Sequence, residues 1–202
     1  MTSFLDLPSD LTERLARHAA STSLREFWSP HLPGESRIPA AVLMPLIRRD
    51  DQWHLIYTLR SSLLHDHSGQ VSFPGGSREP QDRDIIATAL RESQEEIGLN
   101  PQSVTVLGCL ADMDMVTRFK VTPVVGVCEW PTGLTINPDE VDRVFSIPID
   151  WLADEHNHYS RVLTHNGMDI EAVYFKPYDG ETVWGATAMM TVALLDLFDR
   201  AP

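Results

Sequence analysis

Residues 73 to 101, "FPGGSREPQDRDIIATALRESQEEIGLNP", admit little besides a tight turn that feeds one short helix. An aspartate between Asp82 and Asp84 can cap the free backbone N–H groups at its start. Gly98 is suited to leave the last turn in a left-handed conformation, and Pro101 forbids continuation. At 100° per residue, Ile86, Leu90, Ser93 and Ile97 share one stripe, with Ala89 at its edge. That stripe suits packing on a sheet. Glu92, Glu95 and Glu96 lie within about 100° of one another and are expected on the far side from it.

Like charges at such spacing cost an isolated helix roughly 0.2–0.5 kcal/mol per pair. Either they form a solvated acidic face, or something cationic belongs there. The context favours the cation. The Pro74-Gly75-Gly76 turn can bring backbone carbonyls or amides toward the same ion or an anion. Arg91, beside the acids, can orient a carboxylate through charge-assisted hydrogen bonds. Hard divalent cations such as Mg²⁺ take oxygen ligands and keep positions for water and phosphate oxygens.

Around this helix the chain alternates strand-like and helical segments. Residues 9–20 read as a helix capped by Ser9 or Asp10, with Leu11, Leu15 and His18 on one face. "WSPHLPGESRIP" reads as a linker. "AAVLMPLIRR" and "WHLIYTLRS" read as strands joined by the turn "DDQ". Further strands are expected in "GLNPQSVTVLGCLAD", "VTPVVGVCEW" and "MDIEAVYFKPY". "DEVDRVFSIPIDWLAD" runs from a polar start into an apolar segment and a short helix. "WGATAMMTVALLDLFDRA" reads as an amphipathic helix whose Met189, Val192, Leu195 and Phe198 face a core rather than a dimer seam. The pattern points to a layered α/β or α+β domain, with residues 1–37 as N-terminal helix and linker and 38–202 as the main domain.

Composition narrows the partners. A net charge of −13 in 202 residues argues against a general nucleic-acid binder, which needs a basic footprint. It says nothing against a small anionic ligand, because a bound cation reverses the field locally. No apolar run reaches the roughly 18–20 residues of a membrane span, and the N-terminus lacks a secretory pattern. Cys109 and Cys128 read as reduced thiols of a cytoplasmic protein. Monomer and homodimer both stay open.

The helix resembles the Nudix box, G-x5-E-x7-R-E-U-x-E-E-x-G-U with U aliphatic. Arg91, Glu92, Glu95, Glu96, Gly98 and Leu99 match its second half, and Ser93 stands where an aliphatic residue is usual. In the first half Arg83 holds the place of the early Glu and Ser77 that of the glycine. Gly76 and Asp82 recover the spacing if one residue is inserted. Upstream, "TLRSSLLHDHSGQVSFPGG" resembles the extra motif of the coenzyme A pyrophosphatase branch of the family, L-L-T-x-R-S-x3-R-x3-G-x3-F-P-G-G. Thr58, Arg60, Ser61, Gly69, Phe73, Pro74, Gly75 and Gly76 fall in register, and His65 stands where the branch usually has Arg. "FKVTPVVGV" and "VWGATA" are similar to segments of the same branch.

The resemblance implies an α/β/α sandwich with a mixed central sheet. It also implies hydrolysis of coenzyme A or acyl-coenzyme A to 3′,5′-ADP and 4′-phosphopantetheine. Glu92, Glu95 and Glu96 would bind Mg²⁺ or Mn²⁺, with Gly76 as a possible carbonyl ligand and Arg91 beside them. Arg60, His65, Gly75 and Gly76 are the substrate-side candidates. Arg60 suits bidentate phosphate contact. His65 carries less dependable charge. Arg118 and Lys120 either reach substrate or are solvated, and His67 reads as a turn residue. Glu95, Glu96 or Glu140 could be the base. Hydrolysis of another nucleoside diphosphate derivative, or a silent binding domain, are the competing expectations.

Overall fold

The computed structural model describes residues 6–20, 37–64, 67–115, 118–130, 133–165 and 168–198. Most of the expected linker lies outside them, as does His65.

Two long strands, β1 (Ile38–Arg49) and β2 (Gln52–Arg60), form an antiparallel hairpin. Asp50 and Asp51 turn it with φ of 51° and 60°, the left-handed pair that a two-residue turn needs to match strand twist. Gln52, expected in the turn, instead pairs with Arg49 in the ladder. The short strands β3 (Val71–Ser72) and β4 (Gly75–Ser77) pair with β2 and β1 respectively. β4 stops at Val42 and β2 begins at Leu46, so Pro45, which has no N–H to donate, falls in the gap between them.

β5 (Thr105–Cys109) and β6 (Met113–Asp114) pair with β7 (Phe119–Val127), which runs parallel to β1 from Ile38↔Phe119 to Leu46↔Val127. β8 (Val141–Pro148) completes the mixed eight-stranded sheet against β2. The apolar segment expected after the polar start of this stretch is the strand β8, and the short helix expected after it is α3 (Ile149–Ala153). β9 (His158–His165) and β10 (Met168–Phe175) make a separate hairpin.

Side chains of β1 alternate between two cores. Ala40, Met44 and Leu46 enter one; Ala41, Leu43 and Ile47 enter the other. A strand buried on both faces reads as one apolar run. The helix α2 (Ile85–Ile97) covers the second core. α1 (Leu11–Ala20), through Leu11 and Leu15, joins α3 and α4 (Gly185–Leu195) on the first. The fold is therefore the expected α/β/α sandwich around a mixed sheet.

α4 is not amphipathic as expected. Ala188, Met189, Met190, Thr191, Ala193, Leu194 and Leu195 are buried around its circumference, whereas Val192 is only partly so. Such a helix is immersed rather than laid on a surface. Its buried hydroxyl, Thr191 Oγ1, pairs with Tyr57 Oη at 3.0 Å.

Candidate active site

α2 has the boundaries its capping residues dictate. Asp84 accepts the Ala87 N–H at 2.8 Å, and Gly98 leaves the helix with φ 71°. Gly98 N–H donates to Gln94 O at 3.0 Å and Leu99 N–H to Ser93 O at 3.3 Å, the paired bonds of a left-handed C-terminal cap.

The faces of the helix differ from the expectation. The buried residues are Thr88, Ala89, Ser93, Glu96 and Ile97, and Glu96 is only 4% exposed. Glu96 and Glu92 flank the packed face instead of opposing it, whereas Glu95 is exposed as expected. The cause is β4. Where Ala41 pairs with Gly76 and Val42 with Gly75, the sheet presents backbone without side chains, and carboxylates can close on it. The Gly75 N–H donates to Glu96 Oε2 at 3.3 Å. A Cβ on Gly76 would lie 2.6 Å from the Glu92 carboxylate.

Arg91 is the hub of this corner. Its Nε donates to Asp82 Oδ1 at 3.0 Å, and its Nη2 to Asp82 Oδ2 at 3.1 Å and to Ser77 O at 3.0 Å. It also reaches Glu92 Oε1 at 3.0 Å and Glu95 Oε2 at 2.8 Å. Asp82 further accepts the Glu79 N–H and the Thr88 hydroxyl, each at 2.9 Å. The Arg91 hydrogen bonds are the main reason the Asp82 carboxyl stays well below its usual range. Asp82, whose spacing required an insertion, is thus spent on holding Arg91.

Burial raises the Glu92 carboxyl, against the pull of Arg91. It pushes Glu96 up to about 8; Arg60 and the Gly75 N–H pull it back, while Glu140 and Glu92 push it further. Arg60, at the end of β2, has a buried Nε without a hydrogen-bond partner. Among the described residues no three His, Cys, Asp or Glu side chains already form a metal cluster. Glu95 is turned to Arg91 instead.

Glu140 arrives from a distant segment that is tied down at both ends. Asn137 N–H donates to Glu96 O at 2.9 Å, and Asn137 Nδ2 to Glu140 Oε1 at 3.3 Å. Ser61 N–H donates to Glu140 O at 2.9 Å and Ser61 Oγ to Pro138 O at 3.0 Å. Sequence reasoning named Glu140 but not Asn137, and it saw Ser61 only as a motif position.

The remaining candidates lie elsewhere or are engaged. Lys120 pairs with Asp112 at 2.6 Å. His67 is a turn residue with φ 57°, its Nδ1 3.1 Å from Gln70 Oε1.

A mixed sheet is capped here by an acidic helix, with a glycine strand and an arginine converging on it. The family model of the NUDIX domain matches residues 37–166, and the chain belongs to the Nudix hydrolase family, whose members act on pyrophosphate bonds. It is 41% identical over 175 residues to a protein of Pectobacterium atrosepticum named uncharacterized Nudix hydrolase NudL, covering 83% of this chain and 87% of that one. It is 37% identical over 168 residues to the mouse protein named peroxisomal coenzyme A diphosphatase NUDT7, covering 80% of this chain and 71% of that one. The fold is similar to the crystal structure of a MutT/nudix family protein from Enterococcus faecalis, with TM-score 0.54 at 18% identity, covering 95% of this chain and 74% of that one. Nudix hydrolases generally use divalent metals such as Mg²⁺ or Mn²⁺. Among the described residues no helix is long and apolar enough to cross a membrane.

Proposed function

We propose that this chain hydrolyses the diphosphate bond of coenzyme A or acyl-coenzyme A, releasing 3′,5′-ADP and (acyl-)4′-phosphopantetheine. The observation that carries this reading is Arg60, whose buried Nε has no partner and which sits beside Glu96 at the head of the "RSSLLHDHSGQVSFPGG" motif. A guanidinium there can take phosphate oxygens bidentately. The printed name of the mouse relative supports the same substrate class.

The residues fit a hard divalent ion. The donors are all oxygens, the carboxylates repel one another, and Gly76 leaves the space that a Cβ would fill. Glu92, Glu95, Glu96 and the Gly76 carbonyl would hold Mg²⁺ or Mn²⁺. When bound, the ion neutralises the diphosphate and lowers the pKa of a water. Arg91 positions Glu92 and Glu95 rather than touching substrate. Arg60 would bind the diphosphate; His65, a substrate-side candidate that carries less dependable charge than the Arg usual there, lies outside the described residues. Glu95, Glu96 or Glu140 removes the proton from water. The free thiols Cys109 and Cys128 suit a reducing, cytoplasmic setting.

The test is product analysis after incubation with Mg²⁺ or Mn²⁺ and, separately, coenzyme A, ADP-ribose, NADH and dinucleoside polyphosphates. Release of 3′,5′-ADP from coenzyme A supports the reading. Preference for a substrate without pantetheine, or no cleavage at all, overturns it.

A further inference from the structure

The acids of α2 are one half of the site. How the other half is kept in place follows from a bulge in the sheet. β2 and β8 lose register between Leu59 and Arg60: Leu59 pairs with Arg143 but Arg60 with Val141, so Asp142 is the extra residue. A bulge flips the alternation of its strand and often re-aims side chains at a sheet rim. Here Val141 enters the core under α2, whereas Phe145 enters the opposite one. The strand end is thereby brought to Ser61 with its carbonyls facing that residue.

Ser61 is fully buried. Its amide and hydroxyl donate to the carbonyls of Glu140 and Pro138, and its oxygen also accepts the Leu63 N–H at 3.3 Å. On the next residue, Ser62 N–H donates to Asp142 Oδ2 at 3.0 Å. Arg60, immediately before Ser61, is held by Gln70 O at 3.0 Å and Gly69 N–H at 3.1 Å. At the other end of the segment, Asn137 joins the backbone of Glu96 to the carboxylate of Glu140. Glu140 lies close enough to Glu92 and Glu96 to repel both.

We infer that Ser61 and Asn137 are positioning residues which lock Glu140 against the α2 carboxylates and in fixed relation to Arg60. A hydroxyl whose bonds run to the neighbouring loop makes the phosphate-side cation and the fourth carboxylate one rigid unit. Without Ser61 Oγ, the Pro138 carbonyl loses its donor, and Glu140 is fixed against Glu92 and Glu96 only by the Ser61 N–H and Asn137. The inference rests on the proposed function, its kinetic arm on the hydrolytic reading and its Mn²⁺ arm on the α2 carboxylates as metal ligands.

The experiment is a double-mutant cycle with S61A, E140Q and the pair, read in two ways: kcat and KM on whichever diphosphate the wild type cleaves, and Mn²⁺ affinity by electron paramagnetic resonance. A positioning role predicts that S61A lowers kcat about 10-fold or more with little change in KM, and that S61T restores most of it. Both S61A and E140Q weaken Mn²⁺ binding, and the double variant is no worse than E140Q alone, because both act through one carboxylate. Additive losses, or S61A with normal kcat and normal Mn²⁺ affinity, overturn the inference. If the wild type cleaves no diphosphate, the functional reading fails while the Mn²⁺ cycle still decides this one. If S61A does not fold, N137A takes its place in the same cycle.

Discussion

Arg91 grips Asp82 through two nitrogens, Nε to Oδ1 at 3.0 Å and Nη2 to Oδ2 at 3.1 Å, with the Asp82 side chain only 4% exposed. Removing Asp82 takes the two-nitrogen grip from Arg91, which keeps Ser77 O, Glu92 and Glu95, and strips the Glu79 N–H and the buried Thr88 hydroxyl of their acceptor. D82A is expected to cost about 3 kcal/mol, or roughly 6–12 °C in melting temperature for a chain of this size. R91K keeps the charge but not the fork, so it should lower kcat more than it lowers stability. Thermal melts and steady-state kinetics on the same preparations check both. A D82A protein that melts like wild type would sink the role assigned to Asp82.

Adjacent glycines of β4 should respond in opposite ways. A Cβ on Gly75 would meet Ala41 O at 2.2 Å and Val42 Cα at 2.6 Å, which are backbone atoms that cannot move aside. On Gly76 it would meet the Glu92 carboxylate, the far end of a flexible side chain. G75A is expected to lose folded protein, whereas G76A folds and loses activity and metal affinity by roughly 10-fold or more. Circular dichroism and Mn²⁺ titration separate the two outcomes.

Metal addition should stabilise the chain. An ion at about 100 times its Kd contributes about 2.7 kcal/mol, so saturating Mg²⁺ is expected to raise the melting temperature by roughly 5–11 °C. In E96Q most of that rise should vanish, together with at least about 100-fold of the activity. Equal Mg²⁺ shifts in wild type and E96Q would place the ion elsewhere.

The start and stop of α2 were readable because Asp84, Gly98 and Pro101 act locally, through their own backbone and side chains. The β1–β2 hairpin was readable for the same reason, except that Asp50 and Asp51 close it in two residues. Burial of Glu96 was not readable. A periodicity that scores glutamate as polar cannot register that the opposing strand is two glycines with no side chains. The tie from Asn137 to Glu96, and from Ser61 to Glu140, joins segments far apart in the chain, which no local pattern reports. For α4, the apolar stripe hid a helix that is surrounded.

Two histidines give the fold an acid limb. Burial lowers His18, despite the attraction of Asp196, and its Nδ1 accepts the Ala111 N–H at 3.0 Å. Burial also lowers His54. An unfolded chain takes up these protons near the ordinary value of 6.5, before the folded chain does. Native stability is therefore full above that pH and falls as pH drops toward the lowered folded values, by at most about 1.4 kcal/mol per unit for each histidine. H18Q, whose amide oxygen can still accept the Ala111 N–H, should melt like wild type at pH 8 and decline less between pH 6.5 and 5. Parallel melting curves for the two proteins over that range would refute this.

The parallel pairing of β1 with β7, from Ile38↔Phe119 onward, has a kinetic consequence. Ends so distant along the chain must meet before the central ladder can zip, and closing long loops is slow relative to forming α2 or the β1–β2 hairpin. The carboxylates of α2, the glycines of β4 and the segment bearing Glu140 likewise depend on pairings between separated segments, β4 with β1 and β8 with β2. During refolding, recovery of metal affinity should therefore lag behind recovery of helix signal, making the ion a reporter of the last stage of assembly.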